Sequence, residues 1–136
     1  MTFDCADPHA QARFWAAALD YTLDDHHEMI GGLIEAGHLS ADGDDVVVVD
    51  GRRRFREYAS IADPNGEDRL LFQLVDEPKT AKNRVHLDIH PGADQRDAKV
   101  QQLVDLGATR LWDGQLGPQS WVTLADPEGN ELCVSG

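Results

Sequence analysis

Two stretches of the chain repeat one pattern, and this repeat decides the fold. Residues Ser60–Glu67 read S-I-A-D-P-N-G-E, and residues Thr123–Asn130 read T-L-A-D-P-E-G-N. In both, a short apolar run enters an Asp-Pro-x-Gly turn, where Pro fixes φ and Gly accepts a positive φ. A second apolar run follows each turn. The turns begin at Asp63 and Asp126, 63 positions apart in a chain of 136 residues, which predicts two similar modules in tandem.

The first module, about residues 1–76, predicts strands, a helix and one insertion. Asp7-Pro8 starts the helix, because Asp caps a helix N-terminus and Pro fits the first turn. Apolar residues within 25–38 predict an inserted second helix. The predicted strands lie at 2–5, 46–49, 55–62 and 70–75.

A polar linker at 76–83 leads to the second module, about residues 84–136, which repeats the order. Its helix is predicted at 94–106, where apolar residues recur at helical spacing. Its strands are predicted at 84–90, 109–112, 120–125 and 131–135. The predicted fold class is therefore α+β, with two tandem βαβββ modules that form a single domain.

Charge and cysteine content limit the possible partners. The 25 acidic against 12 basic residues give a net charge of -13, which repels nucleic acids and anionic lipids. No apolar run approaches the roughly 20 residues that span a bilayer. We therefore expect no nucleic-acid partner and no membrane partner. Since no export signal precedes Cys5 and Cys133, reduced thiols in a cytoplasmic protein are favoured over a single disulfide.

Three stretches carry a family resemblance. They are T-F-D-C-A-D-P-H-A-Q-A-R-F-W at the start, Arg69–His90 in the middle, and A-D-P-E-G-N-E-L-C-V at the end. They resemble the vicinal oxygen chelate superfamily, which includes glyoxalase I, bleomycin-resistance proteins and extradiol dioxygenases, and within it the glyoxalase-like proteins common in actinobacteria. The resemblance implies paired modules whose curved sheets enclose a cleft for a small molecule, often in a homodimer.

The resemblance also implies positions for a metal. In metal-dependent members the ligands come from the first and last strand of each module, and His86 and Gln73 match two of these positions. Cys133 stands four residues after Gly129, where those members carry Glu, and Glu131 lies one pleat earlier on the same face. The incomplete set favours a protein without a cofactor. The alternative is Zn²⁺, which suits a histidine combined with a thiolate.

Polar residues alternate with apolar ones at 84–90 and place His86, Asp88 and His90 on one strand face. At a rise of 3.3–3.4 Å per residue, His86 and Asp88 are about 7 Å apart, so only bent side chains would touch. This face predicts that the three residues line a cleft. His86 is then either a general base near neutral pH or a residue that only lines the pocket.

Other residues extend the predicted ligand-binding set. Trp121 and Thr123 share a strand face, and an aromatic floor suits a flat or apolar ligand. Trp15 and Trp112 are assigned to the core or to an interface. The run Arg52–Arg56 is either a solvated hairpin or an anchor for a carboxylate or phosphate. The predicted ligand-binding residues are Gln73, Asp88, His90, Trp121, Thr123, Glu131 and Cys133.

Two functions follow from the residues and the resemblance. The first is a glyoxalase-like protein that binds a small organic molecule between curved sheets. If this protein is an enzyme, it is a lyase or isomerase that acts beside a carbonyl or enediolate, with His86 at the centre. The second is a non-catalytic, metal-free binder similar to bleomycin-resistance proteins, for which the acidity of the chain suits a cationic drug.

Overall fold

The structure is a computed structural model that describes residues 1–136. It contains two four-stranded sheets, a separate hairpin and three helices. The first half consists of β1 (Thr2–Cys5), α1 (Pro8–Leu19), β2 (Thr22–Leu23), α2 (His27–Glu35), β3 (Val46–Val49), β4 (Arg52–Phe55), β5 (Tyr58–Ala62) and β6 (Arg69–Leu74). The second half consists of β7 (Leu87–Ile89), α3 (Arg96–Asp105), β8 (Thr109–Leu116), β9 (Gln119–Ala125) and β10 (Glu131–Ser135).

The two sheets have the same strand arrangement. The first has the order β1-β6-β5-β2 and the second the order β7-β10-β9-β8. In each, the first strand of the module runs parallel to its last strand, and the remaining pairs are antiparallel. The α+β fold with two βαβββ modules is confirmed.

Strand register relates positions in the two halves to one another. The pair Ala62–Arg69 closes the first turn and the pair Ala125–Glu131 closes the second. The first loop, 63–68, is one residue longer than the second, 126–130. The counterpart of Cys133 is therefore Leu71, two residues after Arg69.

Four predicted strands differ from the observed ones, and the first of these, predicted at 109–112, extends to Leu116. The fourth strand in the order of the first sheet is the two-residue β2, which was not predicted because it is too short to show a period of two. The predicted strand at 46–49 pairs only with β4, in the hairpin. The predicted strand at 55–62 is divided between β4 and β5. The predicted strand at 84–90 is shortened to 87–89, and Val85 is exposed.

One hydrophobic core joins the two halves. Helix α1 packs on β5 and β6, helix α3 packs on β10, and the two helices contact each other. The core contains 18 buried residues drawn from both modules. At its edge, Trp15 Nε1 of α1 donates a 3.0 Å hydrogen bond to Asp126 Oδ2 in the second turn. Both sheets therefore turn one face toward a common interior.

None of the three helices has the length and apolar character needed to cross a bilayer.

Candidate functional site

A cavity of about 550 Å³ lies on the polar face of the second sheet. All 13 lining residues belong to the segment 82–136, and none comes from the first sheet. The expected cleft between two facing sheets is thus not formed within one chain, because the apolar faces of both sheets meet the shared core. The lining residues are Lys82, His86, Asp88, His90, Trp112, Gln119, Ser120, Trp121, Thr123, Glu131, Cys133, Ser135 and Gly136.

A row of four side chains crosses the cavity floor from strand to strand. Asp88 on β7 pairs in register with Cys133 on β10, Cys133 pairs with Thr123 on β9, and Thr123 pairs with Trp112 on β8. The Cys133 Sγ and Thr123 Oγ1 atoms are 3.5 Å apart. Leu132 and Val134, the neighbours of Cys133, are fully buried on the opposite face. This alternation holds the thiol toward the cavity.

His86 contacts Asp88 at one end of this row. The distance between His86 Nδ1 and Asp88 Oδ1 is 3.1 Å. The separation of about 7 Å expected for an extended strand does not apply, because His86 lies before β7 begins. With the proton on Nδ1, this contact leaves the lone pair of Nε2 free to accept a proton or bind a cation.

A second row forms the wall of the cavity. His90 Nδ1 and Ser135 Oγ are 2.6 Å apart, and Ser135 pairs in register with Trp121. The Trp121 ring covers Gly114 of β8, where an added Cβ would lie 2.1 Å from the ring. Gly114 is therefore required for the observed position of Trp121.

Glu131 lines the cavity but is bound to the linker. Its Oε2 accepts a 3.0 Å hydrogen bond from Asn83 N and lies 3.5 Å from Lys79 Nζ. Burial raises the pKa of Glu131, but the hydrogen bonds from the backbone of Asn83 and of Glu131 itself, together with the charges of Lys79 and Lys82, outweigh burial and lower it. The carboxylate therefore stays charged and fixes the segment that carries Lys82.

The two cysteines differ in chemistry, and both thiols are free. Cys5 is buried and donates to Gln73 O at 3.4 Å. Burial, followed by the negative charges of Glu128 and Asp7, raises the pKa of the Cys5 thiol to about 12. Cys133 is half-buried and lines the cavity. Cys5 is thus a core residue, and Cys133 is the thiol that a ligand can reach.

Most residues predicted to bind a ligand lie together, and one does not. His86, Asp88, His90, Trp121, Thr123, Glu131 and Cys133 all line the cavity. Gln73 lies on β6 of the first sheet and does not line it. By register its counterpart is Ser135, not Cys133.

Several lining residues were not predicted from sequence. Trp112, assigned to the core or an interface, lies in the cavity and is 51% exposed. Ser135 shares a strand face with Cys133 two residues earlier, so alternation could have identified it. Lys82 lies in the linker and had no such signal. The others are Gln119, Ser120 and Gly136.

The arginine run lies outside the cavity. Arg52 and Arg54 form ion pairs with Asp25 at 2.6 and 3.5 Å, and Arg54 also donates to Asp24 O at 3.1 Å. These contacts favour the interpretation of Arg52–Arg56 as a solvated hairpin.

The donors in the cavity fit a metal ion, but in a combination that differs from the implied pair of His86 and Gln73. His86, Asp88 and Cys133 each offer one ligand atom, and these atoms lie within 4.8 Å of one another. A nitrogen, an oxygen and a sulfur donor together suit Zn²⁺ better than Mg²⁺ or Ca²⁺.

Comparison with known proteins agrees with this fold. Residues 1–135 match the family model of the glyoxalase-like domain. A glyoxalase/bleomycin resistance protein/dioxygenase family enzyme from Burkholderia phytofirmans PsJN superimposes with a TM-score of 0.65 at 14% identity, covering 99% of this chain and 94% of that chain. A glyoxalase-related enzyme from Fulvimarina pelagi gives 0.60 at 18% identity, covering 99% and 84%.

A third similar structure is the fosfomycin resistance protein FosX from Mesorhizobium loti. It superimposes with a TM-score of 0.61 at 10% identity, covering 99% of this chain and 86% of that chain. The chain matches none of the curated proteins with which it was compared. At these identities the solved structures support the fold alone, whereas the family model covers almost the whole sequence. The chain therefore belongs to the glyoxalase-like domain family.

Proposed function

We propose that the chain binds a small organic molecule in the cavity of the second sheet and acts on it as a lyase or isomerase. The observation that supports this proposal is the convergence of His86, Asp88 and Cys133 in a cavity of about 550 Å³ beside the Trp121 ring. Such a site combines an apolar wall with a few convergent polar groups. A ligand with a flat or apolar part and a carbonyl or enediolate at one end matches it.

The chemistry we propose is proton transfer next to that carbonyl. His86 Nε2 removes a proton from the carbon beside the carbonyl, and Asp88, 3.1 Å from Nδ1, stabilises the imidazolium that forms. Lys82 at the cavity carries a positive charge that favours the developing enolate oxygen. Trp121 holds the apolar part of the ligand, so that the reacting carbon stays near His86.

We further propose that the protein works as a homodimer. Strand β8 is the edge of the second sheet and exposes Leu111, Trp112 and Leu116, at 40%, 51% and 71%. A second copy that covered this edge would also close the Trp112 side of the cavity, and burial of these apolar side chains would stabilise the contact. Light scattering after size exclusion should give twice the chain mass, and Trp112→Ala with Leu116→Ser should shift it toward the monomer.

A metal-free, non-catalytic drug binder is the second candidate. It is favoured by the carboxylates of Asp88 and Glu131 in the cavity of a chain with net charge -13, which suit a cationic compound. This candidate predicts binding of cationic antibiotics without turnover. The first candidate predicts binding of ketoaldehyde–thiol adducts with proton exchange.

A thermal-shift screen of chelator-treated protein tests the site. The panel contains ketoaldehyde–thiol adducts and cationic antibiotics. Trp121→Ala should abolish every ligand-induced shift, since it removes the aromatic wall. Tyr58→Ala is the matched control, because Tyr58 occupies the same register position in the first sheet, two residues before Ser60. Shifts that survive in Trp121→Ala would place the ligand elsewhere.

Proton exchange distinguishes the two candidates. In D₂O, an adduct that binds should exchange the hydrogen beside its carbonyl for deuterium, as followed by NMR. His86→Ala should slow this exchange by about 10²-fold or more, the usual contribution of a general base. His38→Ala, an exposed histidine outside the cavity, should leave the rate unchanged. Binding without exchange in the wild-type protein would support the drug binder instead.

A further inference from the structure

Cys133 lies next to a histidine–carboxylate pair on the floor of the cavity. Its Sγ atom, a ring nitrogen of His86 and a carboxylate oxygen of Asp88 lie within 4.8 Å of one another. Within this group, His86 Nδ1 is 3.1 Å from Asp88 Oδ1. A thiol beside a histidine that a carboxylate orients is the arrangement of a cysteine nucleophile with its general base.

Backbone pairing fixes the thiol and leaves its base adjustable. Cys133 lies on β10 between β7 and β9, with Asp88 and Thr123 as its register partners. The His86 side chain lies before β7 and is 41% exposed. Rotation of this ring can therefore shorten a separation of at most 4.8 Å to a hydrogen bond. Catalytic contacts commonly tighten in this way when a ligand binds.

Thr123 supplies a hydrogen-bond donor on the other side of the sulfur. Its Oγ1 atom is 3.5 Å from Cys133 Sγ, and the residue is buried. A threonine hydroxyl can rotate to donate to the sulfur once the thiol has given up its proton. Hydrogen bonds to a charged acceptor are stronger than those between neutral groups. The sulfur thus has a base on one side and a stabilising donor on the other.

The other cysteine has a different environment. Cys5 is buried, and its thiol donates to Gln73 O at 3.4 Å. Cys133 lines the cavity, where a small molecule can reach it. Because the reactivity of a thiol depends on access and on neighbouring groups, the chain contains its own matched control.

The walls and the charge of the cavity indicate which electrophile suits this thiol. Trp112 and Trp121 line the cavity, and aromatic rings favour flat, apolar ligands. Lys82 also lines it and carries a positive charge. An α,β-unsaturated ketone has a flat conjugated skeleton and an electrophilic carbon. Its oxygen gains negative charge when a thiolate adds, and a nearby cation stabilises that charge.

We infer that Cys133 is a nucleophile that adds to the double bond of an α,β-unsaturated carbonyl compound, with His86 as its proton carrier. His86 accepts the thiol proton while the carbon–sulfur bond forms at the β-carbon. The electron pair of the broken carbon–carbon π bond moves to the carbonyl oxygen as an enolate. His86 then returns the proton to the α-carbon, so no other reactant is needed.

Reversal of these steps gives the site an isomerase activity. In the adduct the former double bond is a single bond, and rotation about it followed by elimination of the thiolate exchanges the cis and trans isomers. This chemistry takes place in the cavity of the proposed function and so rests on that proposal. It narrows the ligand class to conjugated carbonyl compounds.

Two reagents of different size test the nucleophile and its ligand class separately. Chelator-treated protein, freed of reductant, is reacted with iodoacetamide and with 4-phenyl-3-buten-2-one, a flat unsaturated ketone. Peptide mass spectrometry should place both adducts on Cys133 and leave Cys5 unmodified. We expect Cys133 to react with each reagent about tenfold faster than free N-acetylcysteine at the same pH. The protein should also convert the cis ketone to the trans ketone, as followed by NMR.

Variants assign the roles. Cys133→Ser should give neither adduct nor isomerisation, whereas Cys5→Ser and His38→Ala should react like the wild-type protein. His86→Ala should slow both reactions about 10²-fold, the lower end of the contribution of a general base. Asp88→Asn should slow them less, and Asp88→Glu should restore most of the rate, because Asp88 is a positioning residue that acts through His86. Circular dichroism establishes that each variant is folded.

Three results would overturn the inference. They are adducts on Cys5 in place of Cys133, a Cys133 thiol that reacts no faster than N-acetylcysteine, and an unchanged rate in His86→Ala. Trp121→Ala tests the ligand class, because it removes the aromatic wall without touching the thiol. It should react normally with iodoacetamide and more slowly with the ketone, and a normal rate with the ketone would overturn the assignment to flat conjugated ligands.

Failure of the proposed function has a different signature. Cys133→Ser keeps His86 and Asp88, so it should still bind the ketoaldehyde–thiol adducts and exchange their hydrogen. If the wild-type protein exchanges that hydrogen but forms no ketone adduct, the nucleophile is wrong and the proposed function remains. If it forms the ketone adduct on Cys133 but neither binds nor exchanges the ketoaldehyde–thiol adducts, the nucleophile is confirmed and the proposed function is wrong.

Discussion

The two sheets share one framework but differ in what their polar faces present. At corresponding register positions, the first sheet has Thr2, Leu71 and Ser60, and the second has Asp88, Cys133 and Thr123. The apolar faces remain alike, with Leu70 and Phe72 buried in one and Leu132 and Val134 in the other. The shared core constrains only the apolar face of each sheet. The polar faces can therefore differ between the modules, and only the second module carries the site on its polar face.

The fourth strands extend this contrast. In the second sheet β8 has eight residues and carries Trp112, which lines the cavity, and Gly114, which the Trp121 ring covers. In the first sheet the corresponding β2 has two residues, and the inserted α2 and the β3–β4 hairpin follow it. Ser60 of the first sheet is buried and accepts a 2.9 Å hydrogen bond from Arg69 Nη2. The long fourth strand of the second sheet thus supplies a wall of the cavity, which the short fourth strand of the first sheet does not.

The largest predicted effect concerns the repeated turns. Asp126 is buried and accepts hydrogen bonds from Trp15 Nε1, Glu128 N, Asn130 N and Asn130 Nδ2, at 2.9–3.0 Å. Asp126→Ala would leave these donors unsatisfied and should lower the free energy of unfolding by about 3 kcal/mol, measured by urea denaturation.

The matched change is Asp63→Ala in the first turn. Asp63 is bonded only within its own loop, by Asn65 N at 3.3 Å and Asp68 N at 3.0 Å. Its loss should therefore be much smaller than that of Asp126→Ala. Equal losses of unfolding free energy in the two variants would show that the two turns contribute equally to stability, and would contradict this prediction.

A smaller effect is predicted for Gly114. A Cβ at this position would lie 2.1 Å from the Trp121 ring, so Gly114→Ala must displace the ring. We expect a loss of about 2 kcal/mol in the free energy of unfolding, from overpacking, and loss of the ligand-induced thermal shift. In the control Gly32→Ala, a Cβ would meet no atom within 4 Å, and stability should not fall. An unchanged ligand shift in Gly114→Ala would mean that Trp121 need not hold its observed position.

The smallest effect concerns Glu131 and pH. Its pKa in the folded protein is lowered below the ordinary value of 4.5. The unfolded chain therefore binds this proton more tightly, and the stabilisation is present above pH 4.5 and lost as the pH falls through the lowered pKa. Glu131→Gln should cost about 1 kcal/mol at pH 7 through its weakened bond to Asn83 N. Chemical denaturation from pH 7 to 3 measures this difference.

The wild-type and Glu131→Gln stability curves should converge below pH 4.5. Glu67→Gln, an exposed acid next to the first turn, should run parallel to the wild-type curve. A constant gap at every pH would mean that the carboxylate charge of Glu131 does not stabilise the linker.

Sequence patterns predicted most of the residues that line the site but not how these residues contact one another. Trp121, Thr123 and Cys133 could be placed on one face because strand alternation is strict. The contact between His86 and Asp88 could not be predicted from the sequence, because it depends on where β7 begins. Gln73 was selected by its chemical type and its strand, and only the register revealed that Leu71 corresponds to Cys133. The one-residue difference between the turn loops moves the counterpart of Cys133 from Leu70 to Leu71, and Gln73 lies two residues further along the strand.

The sequence by itself determined the duplicated framework. The Asp-Pro-x-Gly turns, the strands that flank them and the capped helix after Asp7 are local features, and local sterics and hydrogen bonds act between residues that are near in the chain. Only the tertiary structure decided which face became the cavity and which donors meet there. Those contacts join residues 86, 88, 112, 121 and 133, and their geometry depends on strand register and on the core shared by both modules.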